Sequence, residues 1–166
     1  GWERNGYCAI ESDKTTPSEF GFVTSSTEKG NKINKELNEF IAKMNENGGT
    51  KKLADKWFSG TRPTEFEDYK SLTGENGTIQ VGMTDIDPPF SYRDGDILTG
   101  FDLEYIILFA REYGYKNVGL ILDRGYFSLR NIKYSDEKSY DFLMMIKNNS
   151  VLVADKLKDA RLPLLT

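Results

Sequence analysis

The side chains that usually carry covalent and acid–base chemistry near neutral pH are scarce in this sequence. Its 166 residues include no His and one cysteine, Cys8. That excludes a Cys–His nucleophilic pair, an intrachain disulfide and the commonest metal ligand. Carboxylates are plentiful, 26 Asp and Glu against 22 Lys and Arg, yet they are interspersed, and no paired-acid constellation stands out. The expectation is a chain that is not an enzyme, with no catalytic set, no metal and no cofactor. Recognition chemistry remains: ten Phe, nine Tyr and two Trp supply rings, and single charges can meet the ammonium or carboxylate of a ligand.

The elements that must position such groups belong to a folded chain. The hydrophobic fraction of 38% and the aromatic content suit one globular unit with its own core. Net charge is −4, and short basic pairs such as Lys51–Lys52 sit beside acids, so there is no electrostatic footprint for a nucleic acid. The longest apolar runs, Tyr105–Ala110 and Val118–Leu122, are far shorter than the roughly 18–20 residues of a membrane helix. Gly1 opens in mid-pattern with no export signal before it. The sequence is therefore read as a segment of a longer parent that carries its signal or anchor elsewhere.

Periodicity lays out the order. Phe20–Ser25 is β-prone, and Ile33, Leu37, Phe40, Ile41 and Met44 then recur at helical spacing up to Gly48–Gly49. Thr50 is placed as the cap of a short second helix with Leu53, Trp57 and Phe58 on one face and Gly60 at its end. Thr61–Gly77 is polar and aperiodic, a linker with one helical turn around Phe66–Tyr69. A strand over Ile79–Met83, a Pro88–Pro89 turn, a short Phe90–Tyr92 strand and a turn at Asp94–Asp96 follow. Phe101–Tyr113 reads as an apolar helix stopped by Gly114, and Val118–Leu122 as a buried strand. Ser139–Asn148 is expected to be a helix and Val151–Ala154 a strand. Alternating strands and helices give the class α/β, a mostly parallel sheet flanked by helices.

Two stretches resemble one family. Thr78–Tyr113 contains Thr-Ile-Gln-Val-Gly-Met-Thr-Asp, then Pro-Pro-Phe-Ser-Tyr, then Leu-Thr-Gly-Phe-Asp-Leu-Glu-Tyr-Ile. This is similar to the opening of family 3 bacterial solute-binding proteins, the polar amino-acid binders of ABC importers. Lys29–Gly30, Leu37–Asn38, Asn47-Gly48-Gly49 and Lys56-Trp57-Phe58 with Gly60 resemble the ending of the same family. An ending thus precedes a beginning. The resemblance implies a parent with tandem binding domains: residues 1–60 the C-terminal segment of one, 61–77 a linker, and 78–166 the N-terminal lobe segment of the next. In the family, beginning and end pack together as one lobe of a two-lobed clamp. The implied fold is a single lobe of the periplasmic-binding-protein-like (type II) fold in permuted order. A linker of about 17 residues spans roughly 50 Å when extended, enough to close the lobe within one chain. A domain-swapped homodimer using the same contacts is the competing arrangement.

The resemblance also implies where a ligand sits: on loops at strand ends, in the cleft between lobes. Asp87 stands where the family often has an aromatic, and is read either as a solvated turn acid or as the partner of an ammonium group. Phe90 follows the Pro-Pro pair, as core packing or ligand contact, and Tyr92 alternates to the opposite face. Asp102 is a first-turn acid favoured by the helix dipole. Arg161 is the nearest equivalent of a family arginine that pairs with a ligand carboxylate through its planar fork. Tyr140 or Phe142 lies near a second family aromatic. The implied function is capture of a small polar ligand such as an amino acid, outside the cytoplasm (periplasmic or extracellular) and membrane-attached through the parent. One reading makes it the sensory input of a membrane-bound signalling protein. The alternatives are the substrate-binding component of an amino-acid ABC transporter, partnered by a permease, or a structural lobe with no ligand.

Overall fold

A computed structural model describes residues 20–61, 63–65, 67, 72–122, 137 and 143–147. Strand β1, Phe20–Thr24, leads into helix α1, Glu28–Glu46. Thr27 caps α1, its hydroxyl accepting the Gly30 N–H at 3.0 Å. Ile33, Leu37, Phe40 and Ile41 fall on one buried stripe, as their three- and four-residue spacing requires. Gly48 takes a left-handed φ of 74° and turns the chain into α2, Gly49–Trp57.

The capping expectation for Thr50 is corrected by that turn. Gly48 is the N-cap, Thr50 lies one residue inside the helix, and its hydroxyl donates to Asn45 Oδ1 at 2.7 Å. The Gly49 N–H is taken by Asn47 Oδ1 at 2.8 Å. The left-handed glycine folds the chain back sharply enough for the preceding carboxamide to take this first helical N–H.

Beyond the linker come β2 (Thr78–Met83), β3 (Ile86–Asp87), β4 (Ser91–Asp94), β5 (Ile97–Thr99), helix α3 (Phe101–Glu112), β6 (Asn117–Leu122) and β7 (Leu143–Lys147). The main sheet has the order β1-β7-β2-β6. Its strands β7, β2 and β6 are parallel, and β1 lies antiparallel on β7, with Phe22 opposite Met145. The fold is therefore α/β. A smaller antiparallel sheet, β3-β4-β5, is carried on the β2–α3 connection.

The helix expected over Ser139–Asn148 is corrected: residues 143–147 form a strand between β1 and β2. Leu-Met-Met-Ile is a short continuous apolar run, and such a run has no period that separates a central strand from a buried helix. Two neighbouring strands decide it by taking up its backbone hydrogen bonds. The expected strand at Val151–Ala154 lies outside the described residues, as do Phe66 and Asp68–Tyr69 of the helical turn placed in the linker.

The core joins both parts of the chain. Phe22 stacks on Tyr105 at 5.9 Å, and Phe40 meets Tyr105 edge-on at 5.4 Å and Phe109 at 5.7 Å. Helix α3 is buried on nearly every side, which explains why its apolar residues surround it instead of forming one stripe. At its carboxyl end the chain folds back on the linker. The Asn76 N–H donates to the Gly114 carbonyl at 2.9 Å and its side-chain amide to that of Tyr113 at 2.6 Å. The carbonyls of the C-cap residue and of the glycine after it are thereby satisfied from the linker.

Candidate ligand-binding site

Parallel strands of an open α/β sheet end beside the amino termini of the following helices, and ligands favour that rim. In this chain the rim holds the β2–α3 connection, residues 84–100. Its anchorage begins at Thr84 and Asp85. The hydroxyls of Thr84 and Ser91 lie 3.3 Å apart, and Arg93 donates to Asp85 through its backbone N–H and its Nε, each at 3.0 Å. Asp87 closes β3 opposite Ser91. The Pro88–Pro89 peptide is cis, and the Phe90 N–H returns to the Asp87 carbonyl at 2.8 Å.

The far end of the connection docks on α3. The carbonyl of Pro89 takes the Phe101 N–H at 3.0 Å and that of Phe90 takes the Asp102 N–H at 2.9 Å. These two acceptors cover helix-start donors that would otherwise be orphaned, in place of a side-chain cap. The close approach requires glycine at position 100. Its φ is 131°, and a Cβ there would stand 2.1 Å from the Phe90 carbonyl oxygen.

Of the five candidate ligand residues, three come together here. Asp87, Phe90 and Tyr92 are all half-buried within one connection. Tyr140 and Arg161 lie outside the described residues, as does Phe142. Asp102 is buried in the first turn of α3, where a first-turn acid was expected. Both candidate aromatics meet rings from the end of α2, which corrects the opposite faces expected for Phe90 and Tyr92: residues two apart in an extended segment share a face. Phe90 faces Phe58 at 5.0 Å, and Tyr92 meets Trp57 edge-on at 6.5 Å. Phe58 also touches Phe101, at 5.5 Å, while staying 36% exposed. The rim thus presents a carboxylate beside an aromatic cluster. Such a surface can meet an ammonium with Asp87 and an apolar body with the rings.

Glu104 was missed by sequence reasoning. It is only 5% exposed, and its carboxylate accepts Lys56 Nζ at 2.6 and 2.9 Å and Trp57 Nε1–H at 2.6 Å. The Glu67 N–H adds a longer contact, at 3.3 Å. The available signal was an acid next to the apolar Tyr105–Ala110 run, with Lys and Trp adjacent elsewhere. A buried charge of this kind demands partners.

The ionisation of nearby groups follows from their surroundings. Burial pushes the Tyr105 phenol up to about 12, against a smaller opposing pull from the Thr50 hydroxyl, so it stays neutral through the physiological range. The hydrogen bond from Arg111, with Coulomb attraction to Arg111 and Lys56, outweighs desolvation and holds the Glu67 carboxyl below its ordinary value. Among the described residues no cluster of three or more Cys, Asp or Glu is arranged to hold a metal ion, and no helix is long and apolar enough to cross a membrane. Comparison with known proteins adds nothing to this geometry: no protein-family model matches the chain, and no curated protein or solved structure matches it at a significant level.

Proposed function

We propose that this chain is part of an extracytoplasmic solute-binding module that recognises a small polar ligand, such as an amino acid, as sensory input to a membrane-bound signalling protein. One observation carries the reading: the two stretches that resemble the end and the beginning of family 3 solute-binding domains share one sheet and one core. β1 comes from the first stretch and pairs with β7, whose other neighbour, β2, comes from the second. Phe22 and Phe40 of the first pack on Tyr105 of the second. A permuted lobe of the type II periplasmic-binding-protein-like fold requires that union, because beginning and end form one lobe in that family. The ligand surface would be the Asp87–Tyr92 rim, at the carboxyl edge of the parallel strands.

A single lobe encloses a ligand from one side, so its affinity is weak and fast exchange is expected. The test is a titration of isotope-labelled protein with L-arginine, L-glutamate, L-glutamine and small organic acids to millimolar levels, followed by amide NMR. Saturable shifts confined to Asp87–Tyr92 and the start of α3 are the expected result. A well-dispersed spectrum that none of these compounds moves would overturn the reading.

A further inference from the structure

We infer that Glu104 is the positioning residue for both candidate ligand aromatics, acting through Trp57 and Phe58; the inference rests on reading the Asp87–Tyr92 rim as the ligand surface. Phe90 and Tyr92 are separated by one residue, on a turn and a short strand, and their rings lie against different partners. Those partners are consecutive. Trp57 meets Tyr92 at 6.5 Å with an interplanar angle of 85°, and Phe58 meets Phe90 at 5.0 Å and 68°. The direction of both rings therefore depends on how the end of α2 is seated.

Glu104 provides that seat. The Trp57 indole has a single N–H, and giving it to a buried carboxylate at 2.6 Å constrains the plane of the ring. Lys56 reaches the same carboxylate with its ammonium on both oxygens, while standing 5.9 Å from the centre of the Trp57 ring. Phe58 also packs on Phe101, one turn before Glu104 on α3. Glu104 thus joins the last turn of α2 to the first turn of α3, the helix start on which the rim is docked through Pro89 and Phe90. Its carboxylate is occupied by these donors and needs no ligand contact to shape the surface.

The experiment compares wild type with Glu104→Gln and Glu104→Leu in the full chain, without ligand, by aromatic and amide NMR. Glutamine keeps an acceptor for the indole N–H and loses the charge that holds Lys56; leucine loses both. The expected result is a graded displacement of the Trp57 indole resonance and of the Phe90 and Tyr92 ring signals, larger for leucine than for glutamine. The rings of Phe40 and Tyr115 should stay in place. Movement of the indole with Phe90 and Tyr92 unmoved overturns the inference, and so does an equal shift of every aromatic ring, which marks general loosening. If the leucine variant fails to fold, the glutamine variant decides between the same two outcomes. Titrating wild type and Glu104→Gln with L-arginine, L-glutamate and L-glutamine separates the two readings. Wild type that binds none of them defeats the proposed function and leaves the ring result standing. Equal binding by both proteins defeats the role of Glu104 alone.

Discussion

At the scale of single residues, burial sets the chemistry. Tyr105 is fully buried beneath β1 and α1, and desolvation lifts its phenol to about 12. In the unfolded chain a tyrosine loses its proton near pH 10, roughly. Between these values the folded state holds a proton that the unfolded state has released, so stability falls as pH rises through the window. The contribution is complete below pH ~10 and gone above pH ~12, about 3 kcal/mol in size. Tyr105→Phe keeps the ring and removes the ionisable group. Urea unfolding at several alkaline pH values should show a flatter decline for the variant than for wild type over that window. Parallel declines would mean that another group governs the alkaline limb.

At the scale of elements, the fit between the β2–α3 connection and the start of α3 governs the rim. Gly100 allows the Phe90 carbonyl to reach the Asp102 N–H, because position 100 has a φ of 131° and no space for a Cβ. Gly100→Ala combines backbone strain with a collision against main-chain atoms, and a loss of about 3 kcal/mol is expected. It should appear as a lower urea midpoint, with the largest amide shifts at Phe90, Phe101 and Asp102. An unchanged midpoint would show that the helix start gives way at no cost. The same scale shows where pattern reading ended. The amphipathic period of α1 and the stop at Gly114 were legible because each rests on neighbours in sequence. β7 was not, since its strand state comes from β1 and β2 on either side.

At the scale of the whole molecule, the described residues of the two stretches share one core. The first contributes β1, α1 and α2, whose apolar faces have the second as their partner, and the Lys56–Glu104 pair crosses between them. Phe40→Ala removes a ring that touches Tyr105 and Phe109, at an expected cost of about 3–5 kcal/mol. That is a large share of a typical domain's total, roughly 5–15 kcal/mol. The variant should unfold cooperatively at a much lower denaturant midpoint, with β1 and α3 lost together. Separate transitions for the two stretches, by tryptophan fluorescence and by circular dichroism, would show two independent cores.

The sequence by itself determined the α/β class, most element positions, the turn at Pro88–Pro89 beside Asp87, Phe90 and Tyr92, and the absence of histidine chemistry. Each follows from residue type and short-range spacing. Only the tertiary structure decided that Gly48 rather than Thr50 is the N-cap of α2, that residues 143–147 are a strand, and that Glu104 is a buried clasp for Lys56 and Trp57. The reason is common to the last two. A central strand and a buried carboxylate are defined by partners far away along the chain, 48 residues away for Lys56 and Glu104, and local propensity carries no record of them.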